Sequence, residues 1–407
     1  MTHDRLVLIN ANIIDCVGEQ PIRGGSVVIE RGRIGEVLDG TRSADTRNAD
    51  VIDLKGAYLL PGLWDVHIHP DYVAETGANV VDQTIAFGHR LMEALTEAGV
   101  TGVRCAGAAH FMDVAWKRAF ATGQYVGPRV FAAGHFLTST GGHFLTSGHA
   151  RECDGPYGFV HAIRDQIKHG VDHIKLNLTG GIMGPSWDRH WQSFLLDEEL
   201  EAAFAICRAR GFRVMAHAAN PESVKTAVRL GAHSVEHGYI MDAECVERLR
   251  ASNTWYVPTL AISHLTPDQA SDRWEKRWVE HRSLAADLCE RADQASGEHR
   301  EWFRRALAAG VRMALGSDIR PLKEAALLEL GLWVKDGATP RQALLAATRD
   351  AAELCGVGGE LGTIQPGKLA DLIVVDADPL QDITNLRTLL LVFKEGRLVS
   401  DRRAQAR

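Results

Sequence analysis

The chain has 407 residues, of which 45% are hydrophobic and 24% are charged, and this composition excludes a disordered or collagen-like protein. Its 45 basic and 52 acidic residues give a net charge of −7, so the chain has no electrostatic reason to bind nucleic acid or an anionic membrane. The length allows two or three domains, although one α/β barrel alone accounts for about 250 residues.

Both ends of the chain contain short β-branched runs that are typical of strands. Strands are predicted at Leu6–Ile14, Gly25–Glu30, Arg33–Leu38, Asp371–Asp376, Leu389–Lys394 and Gly396–Leu398. Neither end has enough strands to bury a core alone, so we expect the two ends to pair in one small β-sandwich. The predicted domains are therefore the N-terminal part of the β-sandwich (1–60), a barrel (61–355) and the C-terminal part of the β-sandwich (356–407).

Strand and helix patterns alternate between these two ends. Eight strand candidates end near His67, Cys105, Ala132, Leu176, His217, His237, Thr259 and Ser317. Helical patterns cover Val80–Ala98, Met112–Thr122, Phe159–His169, Asp197–Arg210, Pro221–Leu230, Ala243–Ala251, Glu298–Ala309 and Pro321–Lys335. Eight alternating units predict an α/β fold with a (β/α)8 TIM barrel, and an open doubly wound sheet is the alternative.

Two connections between these units are unusually long. The segments Gly134–Tyr157 and Thr266–Ser296 exceed the usual strand-to-helix connection, so both are candidate lids that face the substrate. The second segment contains an amphipathic stretch rich in arginine and tryptophan, and we expect that stretch to be helical.

From the sequence we expect neither a membrane-spanning helix nor secretion. The chain contains no run of about 20 apolar residues, and its start, MTHDRLVLIN, has no signal-peptide pattern. The seven cysteines are scattered without a CxxC pair, which is typical of reduced thiols. We expect a cytoplasmic homo-oligomer that acts on a small-molecule substrate, with no nucleic-acid or membrane partner.

Residues that bind metals stand at the ends of several predicted strands. The first barrel strand ends in His67 and His69, whose side chains face the same side about 7 Å apart and can converge on one cation. An isolated pair of this kind is more often a solvated strand end, because two ligands do not make a site. Three further strands end in His217, His237 and Asp318. Because the carboxyl ends of barrel strands meet at one rim, the set favours shared metal binding.

Lys175 lies between apolar neighbours at the end of the fourth strand, where burial disfavours its charge. Two outcomes are open. The ammonium group pairs with a carboxylate such as Asp172, or CO₂ converts the amine to a carbamate. A carbamate is an anionic oxygen ligand that could bridge two metal ions.

The residues described so far resemble the amidohydrolase superfamily over nearly the whole chain. The resemblance rests on PGLWDVHIH (61–69), Lys175, His217-Ala218, EHG (236–238), GSD (316–318) and LGTIQPGKLADL (361–372). The segments STGGH (139–143) and TGGIMGP (179–185) resemble its branch of Xaa-Pro dipeptidases and imidazolonepropionases.

The resemblance implies two divalent metal ions, zinc foremost. His67 and His69 would bind the more buried ion, and His217 and His237 would bind the outer ion. Lys175, carboxylated by CO₂ on its side-chain nitrogen, would bridge both ions.

The resemblance also implies three catalytic residues. Asp318 would touch the inner ion and serve as general base and general acid. Two ions that share one water lower its pKa from about 15.7 to near neutrality, and a nearby carboxylate takes the remaining proton and gives it to the leaving nitrogen. His143 and Tyr239 would bind the substrate and polarise the scissile carbonyl. The alternatives are a loop-stabilising role for His143 and packing for Tyr239.

Arg320 is a candidate substrate-binding residue, because it stands two positions after Asp318 and could clamp a substrate carboxylate. A structural salt bridge is an equal alternative. His149, His264 and Arg151 are weaker candidates of the same kind.

The sequence therefore indicates a metal-dependent, prolidase-like amidohydrolase that uses a metal-activated hydroxide to cleave the amide C–N bond of a dipeptide or an N-acyl amino acid. The enzymatic alternatives are a hydrolase or deaminase of a cyclic amide or heterocycle, and a hydrolase of carbamate, phenylurea or mycotoxin-type amides. A non-catalytic scaffold is a further alternative, although such a chain is expected to have lost metal ligands.

Overall fold

The computed structural model describes residues 4–70, 79–145 and 148–404. The helices in these ranges are α1 (Val80–Ala98), α2 (Met112–Ala121), α3 (Gly155–His169), α4 (Asp197–Arg210), α5 (Pro221–Leu230), α6 (Ala243–Ala251), α7 (Leu260–His264), α8 (Arg273–Arg282), α9 (Ala286–Ala308), α10 (Leu322–Lys335), α11 (Pro340–Ala346) and α12 (Arg349–Leu354). The helices predicted over 80–98, 197–210, 221–230 and 243–251 are confirmed with those bounds.

The strands are β1 (Arg5–Ile13), β2 (Ile22–Glu30), β3 (Arg33–Leu38), β4 (Asp50–Asp53), β5 (Tyr58–Pro61), β6 (Leu63–Ile68), β7 (Val100–Cys105), β8 (Arg129–Phe131), β9 (Phe136–Thr138), β10 (Ala150–Glu152), β11 (His173–Asn177), β12 (Arg213–Ala218), β13 (Ser234–His237), β14 (Trp255–Val257), β15 (Leu372–Val375), β16 (Leu389–Lys394) and β17 (Arg397–Asp401). The long connection 134–157 contains β9 and β10, and its residues 146 and 147 lie outside the described residues. The long connection 266–296 contains α8, as its composition predicts, and the first turns of α9.

Strands from both ends of the chain form one mixed sheet of eight strands. Its order is β17-β16-β15-β5-β1-β2-β3, and β4 pairs with β1. The two ends meet where β15 pairs antiparallel with β5, so that Ile373 lies opposite Leu60. One face of the sheet buries its own apolar core, which includes Leu8, Ile29 and Phe393. The predicted β-sandwich therefore differs from the structure in one respect, because the strands of both ends belong to a single continuous sheet. The domain bounds stay a prediction.

The central part of the chain is a TIM-barrel-like arrangement of parallel strands with helices around them. One parallel sheet contains β6, β7 and β8, and a second has the order β10-β9-β11-β12-β13-β14. The segment 312–318 lies between the two sheets. The amide of Tyr256 in β14 donates to the carbonyl of Arg312 at 2.8 Å, and the amide of Val66 in β6 donates to the carbonyl of Leu315 at 2.9 Å.

The eighth predicted strand, which ends near Ser317, is irregular. Only an isolated parallel bridge between Tyr256 and Met313 marks it as extended chain. The segment turns out of the extended conformation at Asp318, whose φ is 56°. Its hydrogen bonds alternate between the neighbours on its two sides, so it joins them without forming a regular ladder.

Gly316 allows this segment to approach β6. A Cβ atom at this position would lie 2.6 Å from the Cβ of His67 and 2.6 Å from Cγ1 of Val257. Only glycine therefore fits beside His67, and this close approach places Asp318 at the end of β6.

No helix in the described part of the chain combines the length and the apolar character needed to cross a lipid bilayer.

We expect Gly316→Ala to lower the free energy of unfolding by about 1–3 kcal/mol, because the added methyl group overpacks the contact with β6. Gly331→Ala is the matched control, since a Cβ at Gly331 in α10 would meet nothing within 4 Å. That control should raise stability by about 0.5–1 kcal/mol through helix propensity. Denaturant titrations followed by circular dichroism measure both changes, and equal stability of the two variants would contradict the close-approach argument.

Candidate active site

The end of β6 and the segment 312–318 bring three possible metal ligands together. One ligand atom from each of His67, His69 and Asp318 lies within 4.8 Å of the others. Nε2 of His69 is 3.5 Å from Oδ1 of Asp318, and Nε2 of His67 is 3.8 Å from the same oxygen. This His-His-carboxylate set has the donor chemistry that divalent zinc prefers.

The other three predicted ligands lie against this group. The ring centroid of His237 is 4.8 Å from that of His67 and 4.4 Å from that of His217. Nζ of Lys175 is 3.4 Å from Nε2 of His67. All six predicted side chains line one cavity of about 220 Å³, at the carboxyl ends of β6, β11, β12 and β13.

A hydrogen bond fixes the orientation of each imidazole from β6. Nδ1 of His67 donates to the Glu236 carboxylate at 2.7 Å, and Nδ1 of His69 donates to the Gly107 carbonyl at 3.0 Å. Both rings therefore turn an unprotonated Nε2 toward the cavity. Outer hydrogen bonds of this kind set the tautomer and the basicity of histidine ligands.

The histidines of β12 and β13 are held in the same way. Nε2 of His217 donates to the Gly180 carbonyl at 2.8 Å, which leaves Nδ1 free of that bond. The Thr259 hydroxyl donates to the Pro258 carbonyl at 2.6 Å, so its oxygen accepts from Nδ1 of His237 at 2.7 Å. Nε2 of His237 is then unprotonated. Each of the four histidines thus keeps one ring nitrogen outside its hydrogen bond, and metal ligation requires such a lone pair.

Burial holds these histidines in their neutral form. Desolvation lowers the pKa of His67, His69, His217 and His237 well below the usual value, and the neighbouring Lys175 lowers it further. Neutral imidazoles are the form that binds metal.

Lys175 is buried and Asp318 is partly buried, and their pKa values shift in opposite directions. Burial lowers the pKa of the Lys175 ammonium group and raises the pKa of the Asp318 carboxyl. The pairing of Lys175 with Asp172, which the sequence left open, is wrong. Asp172 instead accepts from Nζ of Lys117 and from the amide of Ala132, which lie away from the cavity.

A buried ionic network supports the site. Its charged pair is Arg104 and Glu236, and the sequence analysis assigned neither residue a function. Glu236 is fully buried and accepts from Nη2 of Arg104 at 2.9 Å in addition to its bond with His67. Arg104, which is 3% exposed, also donates to the Val66 carbonyl and the Ser234 hydroxyl. The Glu-His-Gly motif contains the signal for Glu236, because a carboxylate between buried strands needs a cationic or histidine partner.

A second buried carboxylate, Asp65, holds the irregular segment in place. It accepts from the amide of Ser317 at 3.0 Å and from the Ser317 hydroxyl, and from the amide of His67 at 3.3 Å. Asp65 is 2% exposed, and burial raises its pKa to about 7. It therefore fixes the position of the segment that carries Asp318 relative to the strand that carries His67.

The backbone is strained where the strands end at the site. His237, Thr259 and Asp318 have φ values of 71°, 52° and 56°. The left-handed region is uncommon for residues other than glycine and costs of the order of 1–3 kcal/mol. Such strain concentrates at functional sites, and here it turns two predicted ligands and one of their hydrogen-bond partners toward the cavity.

The two predicted carbonyl-polarising residues also line the cavity. Nδ1 of His143 lies 2.7 Å from the Asp188 carboxylate, which also accepts from the amides of Phe144 and Gly181. Sequence reasoning missed this carboxylate, which binds Nδ1 and so fixes the orientation of the His143 ring. Tyr239 is 2% exposed and stacks on His237 with ring centroids 5.2 Å apart.

Arg320 is not among the described residues that line the cavity, and its role in substrate binding stays a prediction. Its backbone carbonyl accepts from Nε1 of Trp278, and this bond packs α8 against the chain just after Asp318. Among the residues that the structure describes, the arginine that lines the cavity is Arg282, at the end of α8. Sequence reasoning missed it because the position of α8 depends on folding of the connection 266–296.

The weaker substrate-binding candidates separate in the same way. His149 lines the cavity, with its ring centroid 5.6 Å from that of His69. His264 is buried outside the cavity beside the Ser263 hydroxyl, and Arg151 pairs with Asp165.

The sequence profile of the Amidohydrolase family matches residues 58–399. The ochratoxinase of Aspergillus niger is 28% identical over 375 residues, which cover 84% of this chain and 73% of that protein. The imidazolonepropionase of Acidiphilium cryptum strain JF-5 is 25% identical over 418 residues and covers 92% of this chain and 93% of that protein. A crystal structure of a prolidase complexed with N-methylphosphonate-L-proline superposes with a TM-score of 0.84 at 28% identity, and covers 98% of this chain and all of that chain.

We expect Thr259→Val to weaken zinc affinity by about 10- to 100-fold, because Nδ1 of His237 loses its partner while the side chain keeps its shape. Thr254→Val is the matched control. Thr254 is also buried and on the same stretch of chain, and its hydroxyl donates to the Ala232 carbonyl at 2.8 Å, away from the cavity. Zinc titration against a chromophoric chelator measures both variants. Equal losses of affinity would show that the effect comes from lost stability rather than from the orientation of His237.

Proposed function

Because the chain belongs to the amidohydrolase family, in its Xaa-Pro dipeptidase-like branch, and is a hydrolase of carbon–nitrogen bonds, we propose that it cleaves the amide bond of a dipeptide or an N-acyl amino acid. The observation that carries this proposal is the convergence of His67, His69 and Asp318 within 4.8 Å at the floor of a cavity. We also infer that the two parallel sheets close into one (β/α)8 barrel. The hydrogen bonds of the segment 312–318 to β14 and β6 support this.

Two divalent metal ions, zinc foremost, fit the donor set. His67, His69 and Asp318 would hold the inner ion, and His217 and His237 would hold the outer ion. When bound, the ions supply ionised water at neutral pH and polarise the scissile carbonyl. The unprotonated ring nitrogen of each of these histidines supports this assignment, since a pocket of neutral imidazoles beside a carboxylate is suited to cations.

Lys175 would bridge the two ions as a carbamate. Its Nζ lies among the predicted ligands and is 2% exposed, and burial lowers its pKa, which favours the neutral amine. The neutral amine attacks CO₂, a C–N bond forms, and one proton leaves to solvent. The carbamate therefore places one negative charge, shared by two oxygens, where the amine stood.

Asp318 performs the proton transfers in this proposal. Its carboxylate accepts a proton from the attacking water as the oxygen adds to the carbonyl carbon. It then donates that proton to the leaving nitrogen as the C–N bond breaks, so the products are a carboxylic acid and an amine. The Tyr239 hydroxyl donates to the carbonyl oxygen and stabilises its developing negative charge, and His143 does the same through Nε2 when both of its ring nitrogens carry protons.

Hydrolysis of a ring amide is a second candidate. Its support is the match to imidazolonepropionase over 92% of this chain. The metal-ligating residues do not distinguish ring substrates from open ones, because both need the same attack on a carbonyl. Hydrolysis of a mycotoxin-type amide is a third, supported by the match to ochratoxinase.

We expect the zinc-loaded protein to hydrolyse Xaa-Pro dipeptides or N-acetyl amino acids faster than ring amides or aryl carbamates, measured by mass spectrometry of the released amine. Asp318→Asn should keep its fold and lose about 10²- to 10⁴-fold in kcat, because the neutral amide cannot accept the proton. Release of ammonia from heterocycles alone would favour a deaminase instead. Retained kcat in Asp318→Asn would remove Asp318 from the proton transfers.

We expect Lys175→Ala to bind about one zinc ion fewer and to lose nearly all activity, because the bridging ligand is absent. Short carboxylates such as formate or acetate should restore part of the activity, since they replace the carbamate oxygens. Lys168→Ala, on the surface of α3, is the control and should behave as the unmodified protein. Zinc content by plasma mass spectrometry and kcat with and without formate test this. Full activity of Lys175→Ala would exclude the carbamate.

A further inference from the structure

The cavity lining includes apolar side chains that the proposed catalytic steps do not use, and they are called the apolar wall. They come from several elements and connections: Phe136, Phe144, Ile182, Met183, Ile262 and Leu288. Arg282 stands out among the described residues that line this wall, because it brings a permanent positive charge into apolar surroundings.

The Arg282 guanidinium has unused hydrogen-bonding capacity. Its Nη1 is buried and has no hydrogen-bond partner among the described residues. A buried donor without a partner costs free energy that a bound acceptor recovers. The contrast is Arg291 in α9, whose Nη1 donates to the carbonyls of Ile182, Gly184 and Pro185 and serves the structure of the neighbouring loop.

Trp278 holds this guanidinium in place. The Cζ atom of Arg282 lies 4.9 Å from the centre of the Trp278 ring, a stacking distance. The ring itself is 6% exposed, and its Nε1 donates to the Arg320 carbonyl just after Asp318. Arg282 is therefore oriented by a fixed aromatic surface, and its planar N–H groups suit a carboxylate.

The position of Arg282 relative to the catalytic carboxylate is consistent with a substrate contact. Arg282 and Asp318 line the same cavity, and Trp278, which stacks on Arg282, donates to the carbonyl of Arg320 two residues after Asp318. Asp318 delivers its proton to the leaving nitrogen in the proposed function. A substrate carboxylate on the carbon next to that nitrogen would lie near Asp318, and the two negative charges would repel each other. Arg282 offsets this repulsion, because its positive charge neutralises the substrate carboxylate.

We propose that Arg282 binds the free α-carboxylate on the leaving-amine side of the substrate, so that the enzyme acts on N-acyl amino acids or dipeptides and discriminates against amides that lack this carboxylate. This inference rests on the proposed function. The apolar wall adds a second preference, for an apolar substituent beside the scissile bond.

Two substrate pairs that differ only in the carboxylate test the proposal. One pair is N-acetyl-L-phenylalanine and N-acetyl-2-phenylethylamine, and the other is L-alanyl-L-proline and L-alanylpyrrolidine. For the pair that is cleaved, the zinc-loaded enzyme should favour the acid by about 10- to 100-fold in kcat/KM, as expected for a charge-assisted bidentate contact. Arg282→Gln should abolish the preference by lowering kcat/KM for the acid alone, and Arg282→Lys should keep part of it.

Arg277→Gln is the matched control, because Arg277 lies on the same helix, is exposed and is not among the residues that line the cavity. It should keep the full preference. The zinc content and thermal midpoint of each variant show whether the fold and the site are intact.

Three outcomes would overturn the proposal. Equal loss for both members of a pair in Arg282→Gln would show that Arg282 acts on Asp318 rather than on a carboxylate. The absence of an acid preference in the unmodified enzyme would exclude a carboxylate site while leaving amide hydrolysis intact. Cleavage of neither pair would exclude the substrate class, and activity toward ring amides or carbamates would then show whether the hydrolase function itself survives.

Discussion

The buried contact between Arg104, Glu236 and His67 is the interaction on which the site depends. It joins β7, β13 and β6, and Glu236 and Arg104 are almost completely excluded from solvent. Neither charge is tolerable there alone, since breaking one partner of a buried ion pair costs about 3–5 kcal/mol. The same contact fixes the tautomer of His67. The ion pair of Arg104 and Glu236 therefore both holds these three strands together and orients the His67 ring.

The segment 312–318 is irregular because the side chains at the strand ends must point into one cavity. A regular eighth strand would continue along β6, but Asp318 must turn its carboxylate toward His69. Gly316 gives the close approach, Asp65 binds Ser317 from β6, and the positive φ of Asp318 makes the turn. The chain gives up regular pairing and accepts local strain here, as is typical where structure serves chemistry.

Periodicity and short motifs predicted much of this molecule, and contacts between distant residues account for what they missed. Helices such as α1 and α5 carry their own apolar faces, side-chain caps and terminal glycines, so their bounds are local information. His67 and His237 end strands, and alternating strands and helices bring such ends together. The partnership of Arg104 with Glu236 spans 132 positions and has no local signal. Arg320 illustrates the same limit. It stands two residues after Asp318 in the sequence, but it is not among the described residues that line the cavity.

The division between catalytic and recognition residues follows from where each lies. The six predicted ligands stand on strand ends or beside them, and buried hydrogen bonds fix the orientation of the four histidines, so their geometry leaves little room for variation. Arg282, Trp278 and Leu288 belong to the connection 266–296, which packs beside the strand ends through a contact with the Arg320 carbonyl. Changes in that connection alter the charge and shape of the cavity wall without disturbing Glu236 or Asp65. Metal ligands therefore indicate the reaction, whereas the substrate must be inferred from the residues of this long connection.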